Sequence, residues 1–335
     1  MAVSIKDIAE KLNVSTATVS LTLSGQGNRR KVSQETQQRV LACAKELHYQ
    51  PNVLARSLNK GYSENLGLIV PDITDSFFSQ LANQIEMEAE KRHYTLMICC
   101  SRNDHHLEDR MIDMLQQKRV DGILIAPLYR PDGDTYRNLN EELPAVAIDQ
   151  LQPKWDGDCV VSSDRKTSVE IVRRMIARGA RRIALLCVDS ARYSIRERVQ
   201  GYMDALEEAC IPFDREMYAD LSIDTWRDDL PTVLDRILAI RPRIDAFFFT
   251  THVLVEELIH YAQARSINLD EMCQIACFHG SPILRSLLPS ITIAKMPIEG
   301  MAMESVRLLC DRIEYSRKMI PAPPSEHLVL DCVIE

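Results

Sequence analysis

The chain has 335 residues, 46% of them apolar, and only 11 Gly and 15 Pro, so it can bury more than one core and falls outside the disordered and fibrous classes. The net charge of −8 is unevenly spread: residues 1–60 carry nine Lys/Arg against four acids, a balance of +5 that leaves −13 for the remainder. A small basic module beside a larger acidic body points to a polyanion partner for the first and a different task for the second. None of the ten Cys forms a C-x-x-C pair, Cys273 and Cys277 being the nearest approach, so reduced core cysteines are expected, with no metal site and no cofactor. Lys6, Asp7, Glu10 and Lys11 interrupt the apolar stretch that a signal peptide would need, and no 18-residue apolar run occurs. The expectation is a cytoplasmic chain with no membrane partner.

The first sixty residues read as three short helices and a tail. Ser4 followed by Asp7 is an N-cap arrangement, and Ile5, Ile8, Ala9 and Leu12 keep helical spacing, which predicts a helix from about Ser4 to Leu12. Asn13-Val14 breaks it. Ser15 caps a second helix with Val19 and Leu23 inward and Thr16, Ala17, Ser20 and Leu21 nearer the outer face. A third runs from Ser33 to about His48 on a stripe of Val40, Leu41, Ala44 and Leu47. Two short helices joined by a tight turn and closed by a third, in a basic segment, form a helix-turn-helix pattern whose second helix enters the major groove.

These residues carry a family resemblance. The runs SIKDIAEKLNVSTATVSLTLSG and KVSQETQQRVLACAKELHYQPNVLARSL, then GLIVPDITDSFFSQLANQIEMEAEKRHYTLMICC, QQKRVDGILIAP, ARGARRIALL and RERVQGYMDALEEACI, resemble the lactose and purine repressor (LacI) family over essentially the whole chain, most weakly at 245–290. The resemblance implies a helix-turn-helix head over 1–50, a hinge helix and linker over 51–64, and an effector-binding and dimerisation body over 65–335. It also implies a homodimer on a pseudo-palindromic double-stranded operator. The family's base-reading positions fall on Thr16, Ala17 and Leu21, the last usually Arg, so this head offers a hydroxyl and apolar contacts suited to an A·T-richer site. Ser4, Thr18, Ser20 and Asn52 complete the candidate contacts from the head and hinge. Arg29, Arg30 and Lys31 lie in a loop longer than the family's and read either as phosphate contacts or as a solvated charge cluster. On the hinge, Arg56 and Leu58 match the family's minor-groove segment, where the Leu wedges between base steps; the other reading is a disordered linker in which Leu58 does nothing.

From Asn65 onward apolar strands alternate with amphipathic helices: LGLIV (66–70), TLMICC (95–100), DGILIA (121–126), AVAID (145–149), RIALLCV (182–188), DAFFFT (245–250) and QIACF (274–278). This rhythm means parallel α/β sheets. A change of pattern near 150–162 fits two doubly wound lobes, and the resemblance implies the type I periplasmic-binding-protein fold. No G-x-G-x-x-G or G-x-x-x-x-G-K-[ST] run supports a single-lobed nucleotide-binding sheet.

Ligands in such sheets bind beyond the strand carboxyl ends, here between the lobes. Phe77, Phe78, Asp149 and Arg198 fall where the family places ligand contacts. Ser163 and Asp164 follow the CVV strand with Ser162 and either line the cleft or, for Asp164, cap the next helix. Thr251-His252 stands where the family usually has Asn-Asp, and His279 where it usually has Asp. Two lost acceptors and two gained imidazoles beside Arg198 suit a sugar acid or sugar phosphate better than a plain sugar, although His252 also reads as a helix-start residue with no ligand role. The function expected is a ligand-controlled transcriptional regulator, most simply a repressor. An extracytoplasmic binding protein would need a signal peptide and no head. An enzyme would need a nucleophile with an oriented base, a signature the sequence lacks.

Overall fold

The structure is a computed structural model that describes residues 3–25, 27–28, 32–49, 61–131, 136, 139 and 143–335. It divides into two compact units, residues 1–63 and 64–335. Arg29, Arg30, Lys31, Asn52, Arg56 and Leu58 lie outside the described residues.

In the first unit, α1 (Ile5–Leu12), α2 (Thr16–Leu23) and α3 (Gln34–Glu46) enclose Ile8, Ala9, Val19, Val40, Cys43 and Ala44. Each helix starts at a serine cap, Ser4, Ser15 or Ser33, whose hydroxyl accepts an N–H of the first turn. At Ser4 the cap is reciprocal, since Asp7 also accepts the Ser4 N–H at 2.7 Å. Asn13 ends α1 in the left-handed region at φ 52°, which an Asn side chain tolerates, and this turns the chain into α2. The stripe expected on α3 needs one correction. Leu41 is 52% exposed and Cys43 takes the inward position, because the buried face runs through Val40, Cys43 and Ala44.

The second unit holds two six-stranded sheets. The strands are β1 (Asn65–Val70), β2 (Thr95–Cys100), β3 (Gly122–Ile125), β4 (Ala145–Ile148), β5 (Asp158–Ser162), β6 (Ile183–Val188), β7 (Tyr218–Leu221), β8 (Ala246–Phe249), β9 (Gln274–Phe278), β10 (Thr292–Lys295), β11 (His327–Leu330) and β12 (Val333–Ile334). Their orders are β11-β5-β4-β3-β1-β2 and β12-β10-β9-β8-β6-β7, and every pairing is parallel except β10 with β12. The helices are α4 (Ser76–Lys91), α5 (His105–Gln117), α6 (Asp164–Ala177), α7 (Tyr193–Glu208), α8 (Trp226–Ala239), α9 (His252–Ala264), α10 (Leu269–Met272), α11 (Pro282–Leu287) and α12 (Ile298–Lys318). Parallel strands covered on both faces explain why β1, β3, β4, β6 and β8 are almost wholly apolar and buried. Strands β7, β10, β11 and β12 escape the sequence pattern because they are four residues or fewer and each includes at least one exposed position.

The chain passes between the lobes three times: at Ser163 from β5 to α6, at Met296–Pro297 from β10 to α12, and at Asp331–Cys332 from β11 to β12. These crossings lie side by side, with the Ser163 N–H donating to the Leu330 carbonyl at 2.8 Å and Cys332 Sγ 3.9 Å from Met296 Sδ. In the second lobe α6 and α7 approach so closely at Gly201 that a Cβ there would meet the Arg165 carbonyl oxygen at 2.3 Å. That contact lays Arg198, one turn earlier on α7, against the start of α6. The ten cysteines are free and nine are buried or half-buried; Cys210 is exposed, a departure from the all-core expectation.

Candidate functional site

On the head, Thr16, Ala17 and Ser20 form an exposed and uncharged face of α2. Thr18 and Leu21 are half-buried, and the Thr18 hydroxyl sits 2.9 Å from Ser15 Oγ within the cap. Ser4 is exposed, but its hydroxyl is 2.8 Å from Asp7 Oδ2, and hydrogen bonds to Ser4 hold the Asp7 carboxyl below its ordinary range. Ser4 and Thr18 therefore build helix starts, whereas Thr16, Ala17 and Ser20 are open to a partner.

In the body, a cavity of about 130 Å³ lies at the carboxyl ends of the strands, between the two sheets. Three strands end there in residues with left-handed backbone: Asp149 after β4 at φ 64°, Asp189 after β6 at φ 55° and His279 after β9 at φ 55°. Such conformations are tolerated best by Asp, Asn and His among residues with side chains, and they cluster at functional sites. The first lobe contributes Asp75, Phe77 and Phe78 from the start of α4 with Asp149 and Gln150; the second contributes Arg192, Ser194, Arg198, Trp226, Thr251, His252, Phe278 and His279. Seven of the nine expected ligand residues thus share one cavity. Ser163 and Asp164 do not line it. The Ser163 hydroxyl turns to Thr167 Oγ1 at 3.2 Å, and Asp164 is the first residue of α6 rather than its cap.

Asp164 instead orients Arg198. The Arg198 Nε donates to Asp164 Oδ1 at 2.6 Å, Nη1 donates to the Thr250 carbonyl at 2.7 Å, and the guanidinium lies 4.1 Å from the Phe278 ring centre. Only 6% of Arg198 is exposed. Arg192 is held likewise, by Asp189 at 2.9 Å and, across the lobes, by Asn103 Oδ1 at 2.6 Å. Both guanidiniums are thus already engaged by protein oxygens. Two wall oxygens are not: Asp149 Oδ1 and Thr251 Oγ1 are buried without a hydrogen-bond partner. Burial raises the Asp149 carboxyl to about 7, against the opposing pull of Arg198.

The expectation that two imidazoles add positive charge is corrected by burial. His279 is driven down to about 3 by desolvation first and then by His252 and Arg198, and His252 is lowered mainly by desolvation. Both rings are neutral near pH 7. With Asp75 and Asp149 on the walls and Asp164 and Asp189 spent on the two arginines, the cavity carries no surplus of positive charge.

Sequence reasoning missed Ser76. Its hydroxyl lies 2.9 Å from His252 Nε2 and 3.2 Å from His279 Nε2, joining the lobes. A serine beside an imidazole resembles a nucleophile with its base, but the nearest carboxylate, Asp75, stands 3.9 Å from the same Nε2 rather than on Nδ1, where it would orient the ring for catalysis. A groove of about 910 Å³ beside the cavity shares His279 and Met296 with it and runs between α4 and α11. Apart from His279 its walls carry no aromatic side chain and, among the described residues, no orphaned buried oxygen.

Among the described residues no helix is long and apolar enough to cross a membrane, and no group of three or more His, Cys, Asp or Glu is placed to hold a metal ion. Comparison with known proteins finds that residues 4–52 match the bacterial regulatory proteins of the lacI family. Residues 63–252 match the periplasmic binding proteins and sugar binding domain of the LacI family, and residues 172–335 match a periplasmic binding protein-like domain. The chain is 30% identical over 311 residues to the ribose operon repressor of Halalkalibacterium halodurans, covering 92% of this chain and 90% of that one. It is 32% identical over 306 residues to the ribose operon repressor of Bacillus subtilis, covering 91% and 90%. Among solved structures, the lac repressor dimer bound to operator and the anti-inducer ONPF superposes with a TM-score of 0.82 at 19% identity, over 100% of this chain and 98% of that one.

Proposed function

The chain belongs to the lacI family of bacterial regulatory proteins, DNA-binding regulators with a ligand-binding body, and from that premise we propose that it is a homodimeric repressor controlled by a small neutral sugar. It acts in the cytoplasm on a pseudo-palindromic operator, with Thr16, Ala17 and Ser20 reading base edges and Arg29, Arg30, Lys31, Asn52, Arg56 and Leu58 contacting the backbone and minor groove. The second copy is expected on the face where α4 and α11 flank their common groove, since Met87, Ile283 and Leu287 on those helices and Ile98 on the adjacent edge strand β2 are exposed apolar side chains.

The observation that carries the effector class is the pair of orphaned oxygens, Asp149 Oδ1 and Thr251 Oγ1, on walls that also present Phe77, Phe78 and Trp226. A buried unpaired polar atom costs about 1–3 kcal/mol, which a ligand hydroxyl recovers. Aromatic rings take the C–H face of a sugar. Phosphate or carboxylate would find both guanidiniums already bonded to protein oxygens and the Asp75 carboxylate on the wall, and the volume suits a monosaccharide better than the 300–1,000 Å³ typical of drug-sized ligands. This reading replaces the sugar acid or sugar phosphate suggested by the histidines, and a pentose agrees with the ribose operon repressors among its relatives.

Thermal denaturation of the full chain tests it. A neutral sugar such as D-ribose at about one hundred times its dissociation constant stabilises by about 2.7 kcal/mol and raises the melting temperature by several degrees. D-ribose 5-phosphate does not. Stabilisation by phosphorylated sugars alone would reverse the assignment.

A further inference from the structure

The contact of Ser76 with two imidazoles is unexplained by ligand binding alone. Ser76 opens α4 in the first lobe, whereas His252 opens α9 and His279 follows β9 in the second. The two rings stand edge to face with centres 4.7 Å apart, 3% and 7% exposed, and Phe77 meets His279 edge-on at 5.6 Å. A serine hydroxyl has one proton and two lone pairs. It can serve both Nε2 atoms either by donating to one ring and accepting from the other or by accepting from both, and in each arrangement the contact is complete with two neutral imidazoles. A proton added to either ring places a charge in this closed site, where the two rings are nearly cut off from water and burial penalises the charged form.

We propose that Ser76, His252 and His279 form an inter-lobe latch that holds only while both imidazoles are uncharged, so that protons as well as effector control closure of the lobes. The charged groups around the latch are Asp75 before α4, Glu256 on α9, Arg198 on α7 and Asp149 after β4. Once the lobes part and water reaches the rings, each imidazole returns towards its ordinary value of about 6.5. Closed-state values lie below that, so closure is favoured above about pH 6.5 and loses up to about tenfold per ring for each pH unit below it. Asp149 works in the opposite sense, because its carboxyl is raised in the closed cleft and takes up a proton on closure. Two rings against one carboxyl leave opening as the net result of acidification. Gln150 Nε2 donating to Ser194 Oγ at 2.6 Å and Asn103 with Arg192 also bridge the lobes, but neither pair releases a proton in this range.

The consequence for regulation rests on the effector site proposed above, whereas the test needs no effector, so failure of one leaves the other standing. The chain has two tryptophans, Trp155 in the first-lobe core and Trp226 on the cleft wall. In full-length Trp155→Phe, acrylamide quenching reports access to Trp226. We expect it shielded at about pH 7.5 and several-fold more quenchable at about pH 5.5, across the imidazole range. Adding Ser76→Ala should expose Trp226 at both values and flatten the profile, and Asp149→Asn should steepen it. His279→Asn, which keeps a neutral hydrogen-bonding side chain, should reduce the pH slope; it carries the test if Ser76→Ala fails to fold by circular dichroism. Equal shielding at both pH values, or a Ser76→Ala or His279→Asn profile identical to its parent, would overturn the latch.

Discussion

Arg198→Ala lowers the unfolding free energy of the body by about 3–5 kcal/mol, the cost of leaving a buried carboxylate without its partner, and drops the melting temperature by roughly 10 °C. The pair is fully desolvated, with Asp164 at 0% and Arg198 at 7% side-chain exposure, so little is lost to screening. The same substitution removes the donor to the Thr250 carbonyl and the contact with the Phe278 ring. Adding Asp164→Asn removes the orphaned charge, and the double variant should regain more than half of the loss in urea denaturation. If the double variant is as unstable as Arg198→Ala alone, Asp164 is not the cause. Effector response disappears together with stability, because the arginine that faces the cavity is also the one that ties α7 to the start of α6.

The second large effect is expected on the head. Ala17 sits in the first turn of α2, where a carboxylate suits the helix dipole, so Ala17→Glu should fold as well as the parent. If α2 reads the operator as proposed, the same carboxylate meets base edges and phosphates on DNA. Losing a base contact costs about 1–3 kcal/mol and like-charge opposition adds several more, so affinity for an operator selected from random duplexes should fall by about 100-fold or more at fixed salt. Fluorescence anisotropy measures it. Retained affinity would place the reading surface elsewhere than α2.

What could be read before the structure follows from range along the chain. The three serine caps, the Asn13 break and the apolar β1 are local patterns, and each lies where its spacing puts it. Asp149, Arg198, His252 and His279 were singled out by resemblance to the family or departure from it, and the structure places all four on the wall of one cavity. Ser76 was not, since a serine behind the Asp75 cap looks like an ordinary first-turn residue and its partners are 176 and 203 positions away. Asp164 was misread for the same reason: its partner is set by the close approach of α6 and α7 at Gly201, which no local spacing reveals. The histidines were chemically visible but electrically misjudged, because an imidazole's charge depends on burial. The weak strands β7, β11 and β12 lie at the sheet edges, each paired with a single neighbour, and that pairing is not encoded in their own short pattern.

The central claim is that a sugar in the cleft alters the grip of the head on its operator. Regulation needs differential affinity, since a ligand that binds both states equally shifts nothing. The most direct measurement titrates the full chain against a pseudo-palindromic duplex with and without a saturating neutral sugar identified by thermal shift, in parallel with Asp149→Ala. The account predicts that operator affinity changes at least about tenfold in the parent, about 1.4 kcal/mol of coupling, and that the change collapses in Asp149→Ala. An operator affinity indifferent to a sugar that demonstrably stabilises the body, or an undiminished response in Asp149→Ala, would contradict it.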